Sequence, residues 1–126
     1  MPALAAPAHA AANSKVYVTP TWATAVAGWT WRFDRLDPVG LSVQDTRADG
    51  HFVGIQLVTV STGQGTRYWP MHTVTTGSGT GLNRETYADT GGFPTKAWIR
   101  VCKIKGSTIV TCEESDIVNT PINDDY

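Results

Sequence analysis

The chain has 126 residues, of which 41% are hydrophobic and 17% charged, and its formal net charge is −1. This length predicts one domain with a sizeable core, while the near-zero charge argues against a general nucleic-acid binder or a protein drawn to anionic membranes, since both need a basic excess. Low charge together with 12 Gly and plentiful Thr is typical of an all-β protein rich in turns.

The two ends of the chain differ in composition from its middle. Residues 1–14 are mostly Ala and Pro without a charged side chain, and Ala8-His9-Ala10 is similar to the end of a secretory signal, so we expect a signal-peptide remnant or a disordered leader there. Residues 123–126 are expected to be an acidic tail, which leaves 15–122 as the folded domain. No run approaches the ~18 apolar residues of a membrane-spanning helix, so no membrane insertion is expected.

The first strands are predicted from short alternating runs. Lys15–Thr19 (KVYVT) predicts a short strand, and Trp29–Phe33 (WTWRF) predicts a second one with both Trp rings and the Phe ring on one face. Gly28 argues against a helix before it, and a short helix over Trp22–Ala27 is the alternative. The next residues, Asp34–Pro38, are expected to form a loop that is closed by Pro38 and Gly40.

A hairpin is predicted next. Leu41–Thr46 has strand-like alternation, and Asp49-Gly50 is a strong turn signal between it and the long run His51–Thr62. The apolar phase of that long run shifts midway, which indicates either a bulge or a strand buried on both faces.

Proline and glycine interrupt the following stretch. Thr66–Thr76 predicts a strand that lies at a sheet edge or is broken at Pro70, because proline cannot donate a ladder hydrogen bond. Gly77–Gly92 is expected to be a long loop with a short strand around Arg84–Tyr87.

The most informative stretch is Ala97–Glu114 (AWIRVCKIKGSTIVTCEE), which predicts a β-hairpin. If Gly106-Ser107-Thr108 forms a three-residue loop, Cys102 lies opposite Cys112 and Ile104 lies opposite Val110. Cross-strand neighbours are close enough for a disulfide, so we expect the only two cysteines to be bridged, which indicates an oxidising compartment.

These elements, with an edge strand expected within Ile117–Ile122, amount to about six to eight short strands at the spacing of sandwiches and small barrels. We therefore predict an antiparallel β-sandwich, Ig-like or jelly-roll-like, with a disulfide-bridged late hairpin.

No catalytic or metal-binding pattern emerges. The three His residues have no zinc-ligand spacing, no Gly-x-Ser-x-Gly elbow is present, and Asp45–Gly50 lacks the ligand order of a calcium loop. We therefore expect no enzyme, no cofactor and no metal. Of the Trp residues, Trp29, Trp31 and Trp98 fit a core, whereas Tyr68, Trp69 and Trp22 are the candidate ligand-binding aromatics.

Several stretches together resemble a known group of proteins. The runs LSVQDTRADGHFV, TRYWPMHTV, GSGTG and AWIRVCKIKGSTIVTC, spread over about residues 39–114, look like those of small secreted disulfide-bridged β-sandwich proteins of actinomycetes. The resemblance implies secretion and this fold, and it implies no catalytic residue.

Two functions follow as hypotheses. The first is a secreted, monomeric, non-catalytic module that binds extracellular polysaccharide or cell-wall glycan through exposed aromatic rings near Trp69. The second is a secreted protein-binding factor, such as a protease inhibitor or a toxin component, that uses Gly77–Gly92 as a protruding loop.

Overall fold

The computed structural model describes residues 12–122, which form ten strands in two packed antiparallel sheets. The strands are β1 (Ala12–Val18), β2 (Ala23–Trp31), β3 (Arg35–Asp45), β4 (Phe52–Ser61), β5 (Gly65–Tyr68), β6 (His72–Val74), β7 (Gly81–Asp89), β8 (Pro94–Lys105), β9 (Thr108–Glu114) and β10 (Val118–Asn119). No helix in this range is long and apolar enough to cross a bilayer.

Each sheet is built around two long central strands. Sheet I has the order β1-β2-β3-β7, and sheet II has β4 and β8 at its centre, with β5 and β6 beside β4 and with β9 and β10 beside β8. The core lies between the sheets and is filled by residues that alternate along the strands, such as Trp29 and Trp31 of sheet I and Ile55 and Ile99 of sheet II. The predicted antiparallel sandwich is confirmed.

Strand β2 is longer than predicted at its start and shorter at its end. It begins at Ala23, so the alternative of a helix over Trp22–Ala27 is wrong, and Trp29 and Trp31 do share the core face. Phe33 lies beyond the strand and is 42% exposed. Most of the expected loop Asp34–Pro38 instead belongs to β3. This strand has a β-bulge between Leu36 and Val39 that shifts its register with both neighbours, β2 and β7.

The hairpin predicted at Asp49-Gly50 is wrong in its topology. Strands β3 and β4 flank this turn, yet β3 lies in sheet I and β4 in sheet II, so the turn carries the chain from one sheet to the other. Gly50 has a φ of 77°, a left-handed conformation that glycine adopts without steric cost. The turn residue was recognised correctly, but its local signal does not say which strands pair.

The middle of the chain follows the predictions in part. Strand β4 has no register shift at its centre and is buried on both faces there, with Leu57 in the core and Val58 fully buried on the opposite side. The run before Gly77 is broken at Pro70 into β5 and β6, which pair with the same strand, β4. The expected loop Gly77–Gly92 is mostly strand, because β7 spans nine residues at the edge of sheet I.

The late hairpin confirms the disulfide. Cys102 of β8 lies opposite Cys112 of β9 and is bonded to it. The expected pairing of Ile104 with Val110 is wrong, because Ile104 lies opposite Ile109. The loop is one residue shorter than predicted, and a bulge at Val110 restores the register before the cysteines.

Ten strands exceed the expected number because runs divide and short edge strands add to the sheets. Strand β1 begins at Ala12, inside the predicted leader, and the rest of that leader and the predicted tail at 123–126 lie outside the described residues. An edge strand does form in the last predicted segment, as β10 beside β8.

Candidate binding site

The structure separates the three aromatic residues that the sequence suggested as a site. Trp22 is only 6% exposed, and the Lys103 ammonium lies 5.4 Å from its ring centroid. Trp69 is half-buried against the core, its Nε1 donates to the Thr59 hydroxyl at 2.9 Å, and the Arg67 guanidinium lies 3.7 Å from its ring centroid.

Tyr68 is the one exposed member of the three. It is 51% exposed and pairs with Val58, whose side chain faces away from the core, so Tyr68 lies on the outer face of sheet II. Apart from the half-buried Trp69, the four Trp residues are all 7% exposed or less, so within residues 12–122 no two exposed Trp rings lie side by side. The structure therefore does not contain the aromatic strip that we expected for glycan binding.

The glycines lead to a different surface. Ten of the 12 glycines have an evident structural reason: six adopt positive φ, and four would place an added Cβ less than 3.0 Å from a neighbouring atom. Gly28 and Gly40 have neither, since an added Cβ would find its nearest neighbour at 3.4 Å and 4.0 Å respectively. Glycine inside a strand is usually less stable than alanine and often marks a place where a ligand or a backbone approaches closely.

These two glycines face each other on the central strands of sheet I. Gly28 of β2 pairs with Gly40 of β3, and their outer neighbours in the same row are Lys15 of β1 and Glu85 of β7. Because the two central positions lack side chains, the row is a shallow, open depression in the sheet, and the space between it and the row of Ser42 and Asn83 has a volume of about 470 Å³. We call this row and its walls the glycine trough.

One wall of the glycine trough is the next complete row of the sheet, formed by Tyr17, Val26, Ser42 and Asn83. The Ser42 hydroxyl donates to the Asn83 side-chain carbonyl at 2.6 Å, and Tyr17 is 61% exposed. This wall therefore combines an exposed aromatic ring with a fixed hydroxyl–amide pair.

The opposite wall repeats the hydroxyl–amide arrangement. The Thr30 hydroxyl donates to the Asn13 side-chain carbonyl at 2.6 Å, and Pro38 closes the row at the bulge of β3. In both walls the amide carbonyl already accepts a hydroxyl proton, which leaves the amide NH₂ group to donate to a ligand. Within the described residues neither NH₂ group donates to the protein.

The ends of the glycine trough carry opposite charges. Lys15 and Glu85 are three strand spacings apart, roughly 14 Å, so they do not pair, and neither forms an ion pair within residues 12–122. The Lys15 ammonium lies 5.8 Å from the centroid of the Tyr17 ring. The trough has no net charge of its own, and charge attraction does not define its ligand.

In the turn between β3 and β4, the Asp49 carboxylate is held by other groups of the protein. Among the described residues no three His, Cys, Asp or Glu side chains cluster as metal ligands do. The Asp49 carboxylate accepts the His51 backbone N–H at 3.1 Å and lies 3.5 Å from the Lys103 ammonium. Burial raises the pKa of Asp49, but these His51 and Lys103 interactions outweigh burial and lower it overall.

Comparison of the chain with models of protein families, with curated protein sequences and with solved structures returned no match. The resemblance to small secreted actinomycete proteins therefore stays a prediction.

The sequence did contain a signal for the glycine trough. Gly28 was interpreted as a residue that argues against a helix, and Gly40 as a residue that closes a loop. A glycine inside a strand-like run is also the usual sign of a close approach to the backbone. Gly28 and Gly40 become neighbours only through the pairing of β2 with β3. The start of β3 was not predicted, because its bulge interrupts the alternation of side chains in the sequence.

Proposed function

We propose that this protein is an exported, non-catalytic module that binds a neutral polysaccharide chain in the glycine trough. The observation that carries the proposal is the pairing of Gly28 with Gly40, two glycines that the fold does not require. Their cost in stability is explained if an open surface is needed at this place.

The chemistry of the glycine trough suits a sugar chain. Its floor is made of glycine Cα–H groups, and the Tyr17 ring in one wall is exposed, so C–H faces of a pyranose have flat apolar surfaces to contact. Its walls present amide and hydroxyl groups that match sugar hydroxyls as donors and acceptors. The opposite charges of Lys15 and Glu85 favour a neutral chain over a strongly anionic one.

A peptide strand fits this surface less well. Peptides that bind by adding a strand need the free N–H and C=O groups of a sheet edge. Strands β2 and β3 lie inside sheet I, and their backbone groups face neighbouring strands on both sides. The floor of the glycine trough therefore offers little for a peptide backbone to bond.

Export is part of the proposal. The Cys102–Cys112 disulfide is what an oxidising compartment allows, since cytosolic thiols are mostly kept reduced. Mass spectrometry of the protein from the culture medium of its source organism tests this. A mature protein that is found only inside the cell would contradict export.

The binding test uses the full chain against soluble neutral polysaccharides: mixed-linkage β-glucan, xylan and chitin oligosaccharides. Affinity electrophoresis screens the panel, and calorimetric titration measures the ligands that retard the protein. The decisive variant is Gly28→Ala with Gly40→Ala, which adds two methyl groups to the floor without a steric conflict. We expect it to weaken binding about tenfold or more by excluding the sugar from the floor.

The matched control is Thr24→Ala with Gln44→Ala. These two residues pair on the same two strands and the same face, four residues along from the glycines, and both are exposed. We expect this variant to bind as the wild type does. Equal binding by the two double variants, or no retardation by any polysaccharide of the panel, would overturn the proposal.

A protein-binding factor remains the second hypothesis. Its predicted loop is mostly strand β7, but Ile109 and Val110 on the edge strand β9 are 50% and 52% exposed, which favours a protein contact there. A panel of extracellular proteases assayed with excess protein tests the inhibitor version. We expect Ile109→Lys to relieve inhibition, and full activity of every protease would remove it.

A further inference from the structure

A second cavity lies between the two sheets, on the side where β7 faces β5 and β6. It encloses about 190 Å³ and is lined from sheet I by Leu41 and Ala88, among others, and from sheet II by Leu57, Trp69 and His72. We call it the inter-sheet cleft. It shares no side of sheet I with the glycine trough, because Leu41 and Ala88 belong to the core face.

The Trp69 ring is fixed at this cleft by hydrogen bonds to the central strand β4. Its backbone N–H donates to the Leu57 carbonyl at 3.0 Å, its carbonyl accepts from the Gln56 amide at 2.8 Å, and its Nε1 donates to the Thr59 hydroxyl at 2.9 Å. The polar atoms of Trp69 are thus satisfied by the protein, and the ring is left as a rigid apolar wall.

The surroundings of the cleft are positively charged. The Arg67 guanidinium stacks on the Trp69 ring. Arg84 lies within β7, at the position paired with Leu41, and so on the side of sheet I that faces the core. Arg84 is a neighbour of the cleft because its partner Leu41 and the next residue of β7 on the same face, Thr86, both line it. Burial lowers the pKa of His72, and the charge of Arg84 lowers it further. Within the described part of the chain neither Arg67 nor Arg84 forms an ion pair.

We propose that the inter-sheet cleft binds a small amphipathic anion, an apolar or aromatic group that carries a carboxylate. The apolar group lies against Leu41, Leu57 and Trp69, and the carboxylate faces Arg84 at the rim. A cavity of about 150 Å³ is known to hold a benzene-sized group, so 190 Å³ accommodates one ring with a short acidic arm. Unpaired guanidinium groups favour a carboxylate because they bond it in a matching planar geometry.

The test uses phenylacetate and its neutral analogue phenylacetamide as probes. Binding is followed by the indole N–H resonances of the full-length protein in two-dimensional NMR, with the Trp69 signal assigned through Trp69→Phe. We expect phenylacetate to move the Trp69 signal with saturation and the other four indole signals much less. We expect phenylacetamide to bind about five- to tenfold more weakly, since it lacks the charge-assisted hydrogen bond.

Two variants test the residues. Arg84→Gln, on the exposed edge strand β7, is expected to reduce phenylacetate binding to the level of phenylacetamide while leaving phenylacetamide unchanged. Thr86→Leu, at an exposed position that lines the cleft, is expected to weaken both probes by narrowing the space. The control is Arg47→Gln, an exposed arginine in the turn between β3 and β4.

The outcomes separate clearly. Equal affinity for the two probes, an unchanged phenylacetate affinity in Arg84→Gln, or an equal loss in Arg47→Gln would overturn the proposal, as would no saturable shift or a common shift of all five indole signals. The result does not depend on the glycine trough, because the Gly28→Ala and Gly40→Ala variant leaves every residue of the cleft in place.

Discussion

Glycines occupy central strands on the outer faces of both sheets, but their surroundings differ. Gly54 of β4 is buried, and an added Cβ would lie 2.7 Å from the Met71 side chain, which covers that part of sheet II. No side chain covers Gly28 and Gly40 of sheet I in this way: the nearest side-chain atom to an added Cβ is the Lys15 Cγ, 4.0 Å from that of Gly28, and Gly40 is exposed. One glycine makes room for a side chain of the same protein, and the other two leave room that the protein does not use.

The rest of each outer face follows the same contrast. On sheet II, Val58, Trp98 and Cys102 are buried although they point away from the core, and the disulfide joins two strands of this face. On sheet I, the outer face has polar walls and an exposed Tyr17. Sheet II therefore buries side chains on both of its faces, whereas sheet I buries side chains on its core face and leaves its outer face largely exposed.

If the two outer faces differ in this way, the single substitution with the largest expected effect on the free energy of unfolding is at Trp98. We expect Trp98→Ala to lower the free energy of unfolding by about 3–4 kcal/mol, the range for truncation of a buried Trp, because the side chain is 7% exposed and its Nε1 donates to the Glu114 carboxylate at 3.1 Å. Tyr17→Ala, on the outer face of sheet I, should change it by less than about 0.5 kcal/mol. Urea unfolding measures both, and similar losses in the two variants would contradict the contrast.

The next effect concerns the disulfide. Replacing Cys102 and Cys112 together by alanine opens a ring that spans a sequence separation of 10, and loop entropy predicts a loss of about 2–3 kcal/mol. Hydrogen exchange should show the loss first in β9, which pairs only with β8, while the amides of β2 keep their relative protection. Uniform loss of protection in both sheets would show that the bridge acts on the whole fold instead.

The glycines themselves give the sharpest comparison, because a Gly→Ala substitution is expected to change the free energy of unfolding with opposite signs in the two sheets. We expect Gly54→Ala to destabilise the protein by about 1–3 kcal/mol, since its methyl group displaces Met71 and contacts Ile104 at 3.1 Å. Gly28→Ala and Gly40→Ala should each stabilise it by about 0.5–1 kcal/mol, because they fit and reduce the entropy of the unfolded chain. Thermal and urea unfolding measure the three variants. Destabilisation by either sheet I variant would mean that the fold does need its glycine.

Local patterns of the sequence predicted what depends on neighbours along the chain. The cysteine register was predicted, and the break at Pro70 and the burial of β4 on both faces were each one of two predicted alternatives, because turn residues and side-chain alternation act over a few positions. The extra residue of the late hairpin was placed in the loop instead of at Val110, since a bulge and a longer loop shift the register equally.

Features that depend on pairing between distant segments were missed. Asp49-Gly50 has the same local signal whether its strands pair or pass to opposite sheets, and only the packing of the two sheets decides between them. The glycine trough forms only when β1, β2, β3 and β7 pair in register, so that residues as far apart in sequence as Lys15 and Glu85 lie in one row. The burial of two candidate aromatics depends on distant segments as well, because Trp22 packs into the core and Trp69 packs against it, and a local pattern does not show this.

The smallest expected effect on the free energy of unfolding comes from His72, which lies between the two sheets, and it depends on pH. Its pKa is lowered from 6.5, first by burial and then by Arg84, so below pH 6.5 the unfolded chain binds a proton that the folded protein does not. Stability from this group is therefore complete above pH 6.5 and falls as the pH drops toward the folded pKa. Asp49 does not contribute in this window, because its pKa is lowered from 3.8.

We expect His72→Gln to flatten the dependence of the unfolding free energy on pH below 6.5, measured by urea titrations at half-unit steps. Arg84→Gln should reduce this slope without removing it, because burial is the larger cause of the shift. An unchanged slope in His72→Gln would assign the pH dependence to another group. Complete loss of the slope in Arg84→Gln would instead mean that the charge at the cleft outweighs burial, which would make this arginine a stronger feature of the inter-sheet cleft than its exposed position on β7 suggests.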